Sequence, residues 1–212
     1  MTNLFIKRVL AGLTVIVAGL MMIACTGVPL RSVPKLMQLN QQLMDANPAE
    51  FIVALQVDAR MVPPMGAVPL LHLKITPREA GAFDVIDKKL PLQLAVASIS
   101  TQGLDAPGNG RRWLIYSLPA ASQSELKQVQ AFIKTARAQS QSNQSNQSNQ
   151  SNQSKGGSLS VGVEQDSLIV NNPALSDTRW ETWLQTARQD GFYEVWSGTP
   201  AQLQKIAADA RK

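Results

Sequence analysis

The 212-residue chain is poor in the residues that build reactive sites, with one cysteine, one histidine and only 5% aromatic residues. A single cysteine excludes an internal disulfide, so an exported form of the chain has to be stabilised by its hydrophobic core alone. A single histidine, His72, excludes a multi-histidine zinc site, because the sequence has no second histidine and no second cysteine to complete the ligand set. The sequence therefore predicts neither a metal centre nor a cofactor site.

Catalytic motifs are also lacking. No Gly-x-Ser-x-Gly elbow supplies a nucleophile for His72, and Gly156-Gly157-Ser158 lacks the lysine of a phosphate-binding loop. Neighbouring carboxylates could do acid–base work on a glycan, but such pairs at turns and helix starts more commonly serve solvation or capping. The close pairs are Asp84 with Asp87, Glu164 with Asp166, and Asp177 with Glu181. We expect a structural role for His72 and a chain that is not an enzyme.

The first 25 residues have the layout of a secretory signal. Lys7 and Arg8 form a cationic start, and the 15 residues from Val9 to Ile23 carry no charge. A helix needs about 20 apolar residues to span a bilayer, so this shorter run favours a cleaved signal over a membrane anchor.

Met22-Ile23-Ala24-Cys25 resembles the lipobox of bacterial lipoprotein precursors, although leucine is usual where Met22 stands. The resemblance covers residues 1–25 only. It implies that the Cys25 thiol receives a diacylglycerol, that a peptidase cuts between Ala24 and Cys25, and that the new N-terminus is acylated. Several acyl chains such as palmitate hold a protein to a bilayer almost permanently, at about 0.8 kcal/mol for each buried CH₂.

The residue after the cysteine implies a destination. Aspartate there favours retention in the inner membrane of Gram-negative bacteria, whereas this chain has Thr26. The resemblance therefore implies the outer membrane, with the domain facing the periplasm as in most such proteins. Residues 1–24 would be the signal peptide and residues 25–35 a short lipidated tether.

The net charge does not indicate nucleic-acid binding. Of 20 basic residues, Lys7 and Arg8 lie in the signal, which leaves 18 scattered basic residues against 15 acidic ones. The doublets Lys88-Lys89 and Arg111-Arg112 could contact anionic headgroups, although solvated strand ends explain them more simply. We expect contact with the membrane through the lipid on Cys25, and with an envelope protein or the cell wall.

Residues 36–212 are predicted to form a single α+β domain. Alternating apolar residues predict strands at 51–57, 68–75, 92–99, 113–118, 159–163 and 192–196, with 168–170 as the returning arm of a hairpin. Helical spacing predicts helices at 36–44, 122–138, from 172 or 176 to 191, and from 199 onward. This order favours a mainly antiparallel sheet with about three helices packed on one face. The alternative is a β-sandwich with peripheral helices.

Two of these helices begin at candidate capping boxes, Ser122 with Glu125 and Thr199 with Gln202. A tandem Gln-Ser-Asn repeat interrupts the domain between these two helices. No apolar side chain occurs from 139 to 157. We expect this segment to be a disordered surface loop that tolerates changes of length. A flexible or aggregation-prone arm is the alternative.

Trp180, Trp183 and Trp196 form the candidate contact surface, because five aromatic residues gather between positions 180 and 196. On the predicted helix, Trp180 and Trp183 are one turn apart. Exposed, the group could stack on sugar rings or bind a partner. Buried, it would pack the helix on the sheet, which the helical spacing favours.

We therefore expect a non-enzymatic, lipid-anchored envelope protein that acts through protein or cell-wall contacts near the membrane. A lipid-anchored hydrolase of envelope polymers is one alternative, and a polar cleft joining His72 to a serine and a carboxylate would favour it. A carrier of an apolar ligand is the other, and a large apolar cavity would favour that.

Overall fold

The computed structural model describes residues 43–77, 83–95, 101, 103–142 and 157–209. The predicted signal, the lipobox with Cys25, the tether and residues 143–156 of the repeat lie outside the described residues. A helical segment at 43–45 agrees with the end of the helix predicted at 36–44. None of the helices in the described ranges is long and apolar enough to cross a membrane.

The described strands form two antiparallel sheets. The strands are β1 (Ile52–Asp58), β2 (Leu70–Pro77), β3 (Ile86–Pro91), β4 (Gln93–Leu94), β5 (Arg111–Ser117), β6 (Gly157–Glu164), β7 (Trp180–Gln185) and β8 (Tyr193–Gly198). The five-stranded sheet has the order β4-β5-β1-β7-β8, and the three-stranded sheet has the order β3-β2-β6. Two long helices accompany them, α1 (Ala120–Ser142) and α2 (Pro200–Asp209).

One hydrophobic core joins the two sheets. Strand β1 contributes Val53, Leu55 and Val57, and β2 contributes Leu71 and Leu73, all fully buried in one cluster. Residues two apart share a face of a strand, so each sheet turns one apolar face to this core. Helix α1 belongs to the same core through Leu126 and is therefore not peripheral. The α+β fold class is confirmed, with the strands divided between two sheets.

Most of the predicted strands are confirmed. Strands β1, β2, β5, β6 and β8 coincide with the predictions at 51–57, 68–75, 113–118, 159–163 and 192–196. Of the strand predicted at 92–99, β4 covers two residues, and 96–99 lie outside the described residues. Strand β3 was not predicted, because three consecutive charged residues, Asp87, Lys88 and Lys89, hide its alternation.

The helix predicted to end at Gly191 is wrong. Strand β7 occupies its centre, between short 3₁₀ turns at Pro173–Leu175 and Arg188–Asp190. The spacing of Trp180, Trp183 and Leu184 suits a helix, but the alternation of Trp180, Thr182 and Leu184 suits a strand equally well. Residues 180–185 form a strand because they pair with β1 on one side and with β8 on the other. Short apolar runs are ambiguous in this way until their partners are known.

Three local predictions have mixed outcomes. The hairpin arm at 168–170 is wrong, because Asp166–Leu168 is a 3₁₀ turn whose Leu168 enters the core. Helix α1 starts at Ala120, before Ser122, whose hydroxyl instead donates to the carbonyl of Pro91 at 2.8 Å. It also runs to Ser142, so the disorder predicted from 139 does not hold for its first four residues.

The second capping box is confirmed. The amide N–H of Thr199 donates to Gln202 Oε1 at 2.9 Å, and the amide of Gln202 donates to Thr199 Oγ1 at 3.3 Å. Pro200 stands at the first helical position, where its fixed φ and missing N–H cost nothing.

We expect Leu55→Ala to destabilise the domain by about 2–5 kcal/mol, because it leaves a cavity at a fully buried site on the central strand. Met65→Ala is the matched control, since the Met65 side chain is fully exposed and its truncation should change stability by less than about 0.5 kcal/mol. Urea unfolding followed by tryptophan fluorescence measures both. Equal losses from the two variants would contradict this core.

Candidate functional site

His72 lies on the outer face of the three-stranded sheet, between carboxylates from both neighbouring strands. Its Nε2 is 2.7 Å from Asp87 Oδ1 on β3, and its Nδ1 is 3.0 Å from Glu164 Oε1 on β6. The register explains the meeting, because His72 pairs with Lys89 on one side and with Gly162 on the other. Asp87 and Glu164 each lie two residues from one of these partners, so their side chains share the face of His72.

Lys89 completes this cluster, which we call the histidine cluster: His72, Asp87, Lys89 and Glu164. Lys89 Nζ lies 2.9 Å from Glu164 Oε1 and 3.0 Å from Oε2. The hydrogen bond to Glu164 raises the pKa of Lys89. The hydrogen bond from His72 holds the pKa of Asp87 below its usual range, and the charges of His72, Lys74 and Lys89 lower it further.

The geometry of the histidine cluster differs from that of a catalytic triad. A carboxylate oxygen lies within hydrogen-bond distance of each ring nitrogen, so neither nitrogen faces a hydroxyl that it could activate. The partners of His72 in the described residues are the two carboxylates, and no serine hydroxyl is among them. Within the same ranges, no group of three or more histidine, cysteine or acidic residues is arranged to hold a metal ion.

We expect Asp87→Asn to lose stability relative to the unsubstituted chain at neutral pH, and the difference to shrink in acid. Because folding lowers the pKa of Asp87 below its ordinary 3.8, its contribution is present above that pH and is lost as the pH falls through the folded value. Urea midpoints of both proteins from about pH 6 to about pH 2 test this.

The matched control is Asp84→Asn, an exposed carboxylate in the segment that leads into the same strand. Its urea midpoint should follow that of the unsubstituted chain across the range. A constant gap between Asp87→Asn and the unsubstituted chain at every pH would rule out the ionised Asp87–His72 contact.

The three predicted tryptophans do not form one surface. Trp180 is only 1% exposed and lies in the main core, and Trp196 packs against that core beside Gly198. Trp183 is on the opposite face of β7 and packs on a second, smaller cluster with Ile52 and Ala54. Residues three apart on a strand point to opposite faces, whereas on the predicted helix they would have shared one.

Trp183 instead meets Trp113 of β5, with ring centroids 6.2 Å apart and planes at 86°. Strand β1 lies between the two, and Ala54 and Gln56 are the residues that pair with Trp183 and Trp113. The small side chain of Ala54 lets the two indoles meet edge to face above the central strand, a favourable aromatic geometry. Sequence reasoning missed Trp113, because a contact between residues 70 positions apart depends on the strand register.

A carboxylate and two guanidinium groups lie beside these indoles. Arg111 Nη1 donates to Glu181 Oε1 at 2.9 Å, and Arg179 Nε lies 2.9 Å from the same oxygen. Trp183 Nε1 donates to Glu181 Oε2 at 3.4 Å. The side chains of Arg111 and Glu181 are 18% and 12% exposed, against 66% for Arg179. We call this set the indole–arginine surface: Arg111, Trp113, Arg179, Glu181 and Trp183.

The two members of each basic doublet make different contacts in the fold. Lys88 pairs with Glu125 of α1 at 2.9 Å while Lys89 joins the histidine cluster, because adjacent residues on a strand point to opposite faces. Arg111 joins the indole–arginine surface, and Arg112 donates to the carbonyl of Met61. Asp87 and Glu164 contact His72, and Glu181 binds Arg111.

The chain was compared with family models, with curated proteins and with solved structures, and it has no significant match in any of the three. Its function is therefore argued from its own residues.

Proposed function

We propose that this chain is a lipid-anchored protein of the bacterial envelope that works by binding and not by catalysis. The observation that carries the proposal is the lipobox-like Met22-Ile23-Ala24-Cys25 after an uncharged run, with Cys25 as the sole cysteine of the chain. The proposed location is the outer membrane, with the domain in the periplasm. The hydrolase and the apolar-ligand carrier stay untested predictions.

The distance from the lipid restricts the partner. Ten residues separate Cys25 from the helix predicted at 36–44, and an extended chain reaches about 3.3 Å per residue. Such a tether allows the domain to move only about 30 Å from the bilayer surface. A partner close to the membrane, either an envelope protein or the cell wall, suits this reach.

The indole–arginine surface supports a binding role. Tryptophan and arginine are enriched at protein interfaces and dominate their binding energy. Here Glu181 binds Arg111 and the indole of Trp183 beside a partly exposed aromatic pair. The rigid, amphipathic face that results suits contact with a protein or a sugar polymer. Arg179, more exposed than the others, would meet the partner first.

We expect Cys25→Ser to abolish lipid attachment. Cells grown with a labelled fatty acid should show a labelled band for the unsubstituted chain and none for the variant. Mass spectrometry should find the labelled mature chain starting at Cys25. Met22→Leu, which restores the usual lipobox residue, is the matched control and should keep the label. Equal labelling of the Cys25→Ser variant would disprove the anchoring proposal.

We expect Arg179→Glu to weaken partner contacts while leaving the fold intact, because this side chain is mostly exposed and the reversed charge would face the carboxylate of Glu181. Crosslinking in cells should give adducts of discrete mass with the unsubstituted chain, reduced several-fold in the variant. Lys205→Glu, an equal charge reversal at an exposed position of α2, is the control. If adducts persisted in Arg179→Glu and disappeared in Lys205→Glu, the contact surface would lie elsewhere.

A further inference from the structure

Each sheet ends in two edge strands, whose free N–H and C=O groups can pair with another strand unless something protects them. Three of the four described edges carry such protection. Strand β4 has only two residues, and β3 has three consecutive charges and ends at Pro91. Strand β8 pairs with β7 through an irregular register at Thr182/Trp183 and carries the buried carboxylate of Glu194.

Strand β6 has none of these devices. It is eight residues long, contains no proline, and is uncharged from Gly157 to Val163. Its register with β2 runs without interruption from Gly157 to Glu164. Among the described elements, β2 is the one in extended contact with β6. The single charge of the strand, Glu164, is already bound by Lys89 and His72.

The core-facing side chains of β6 are also incompletely covered. Leu159, Val161 and Val163 pack against the main core but remain partly exposed. The equivalent residues of the neighbouring strand, Leu71 and Leu73, are fully buried, because they have a strand on each side. A further strand beside β6 would bury the three partly exposed side chains in the same way.

We propose that β6 pairs with β6 of a second copy of this chain, antiparallel, about a two-fold axis at Val161. Val161 then faces its own counterpart, and Leu159 faces Val163 of the second copy, so all apolar side chains stay on the core side. Glu164 faces Ser158 of the second copy, which keeps the two carboxylates at opposite ends of the ribbon. The two three-stranded sheets join into one sheet of six strands, in a self-complementary interface.

Disulfide trapping tests the register. In this arrangement the two copies of residue 161 have Cα atoms about 4.5–5.5 Å apart, within the range that a disulfide spans. Val161→Cys in the full-length chain, purified in detergent and mildly oxidised, should therefore run as a covalent dimer. Ser158→Cys is the matched control on the same strand, because its two copies would be about 20 Å apart and should not crosslink. The unsubstituted chain, oxidised in the same way, shows how much covalent dimer forms through Cys25 alone.

Charge exchange tests the same interface without a buried substitution. Ser160 faces Gly162 of the second copy, both residues are exposed, and a Cβ added at 162 meets no atom within 4 Å. The double variant Ser160→Lys, Gly162→Lys should sediment as a monomer, because lysines would face lysines. Ser160→Glu with Gly162→Lys should restore the dimer through two opposite-charge pairs. Far-ultraviolet circular dichroism verifies the fold of each protein.

The proposal is overturned if the unsubstituted chain sediments as a monomer at all concentrations tested, or if both double variants have the same oligomeric state. It is also overturned if Val161→Cys and Ser158→Cys crosslink to the same extent. A dimer that forms only through Cys25 in the unsubstituted chain counts against it as well. Apart from the Cys25 crosslink, which needs an unlipidated thiol, none of these outcomes depends on lipid attachment, so the interface and the anchor are tested separately.

Discussion

The pairing of β1 with β5 on one side and β7 on the other is the constraint on which the rest of the domain depends. One face of β1 supplies Val53, Leu55 and Val57 to the main core, and the other presents Ile52 and Ala54 beneath the indoles. Because both faces are buried, a shift of one residue would exchange the two sets of side chains. The register of this strand therefore fixes the core and the indole–arginine surface together.

In each sheet, side chains from two flanking strands converge over the strand between them. Trp113 and Trp183 meet over β1 beside the small side chain of Ala54, and Asp87 and Glu164 meet His72 of β2. The histidine cluster combines residues from three adjacent strands, and the indole–arginine surface joins β5 to β7 across β1, so neither exists until its sheet has formed. These contacts join residues that are far apart in the sequence, so they form only when the sheets are assembled and cannot form within one local segment.

Alternation along single strands made most of the fold predictable, since β1, β2, β5, β6 and β8 each turn one apolar face inward. The helix predicted to end at Gly191 was wrong because the sequence of β7 suits a helix equally well, and only its pairing with β1 and β8 makes it a strand. The polar clusters could not be predicted, because His72 meets Asp87 and Glu164 across strands whose register no local pattern gives. The prediction of a structural His72 fits an imidazole held between two carboxylates.

The two polar clusters differ in what they contribute. The histidine cluster lies on an outer face where solvent screens its charges, so each of its ion pairs adds less to the free energy of folding than a buried pair would. Arg111 and Glu181 are largely buried, and removing Glu181 would leave the guanidinium charge of Arg111 without its carboxylate in a poorly solvated place. Arg111 also donates to the backbone carbonyls of Gln56 and Arg179, which ties β5 to β1 and to the start of β7. In a domain without disulfides, the guanidinium of Arg111 therefore acts as a polar crosslink across the central strand, beside the partly exposed indoles of Trp113 and Trp183.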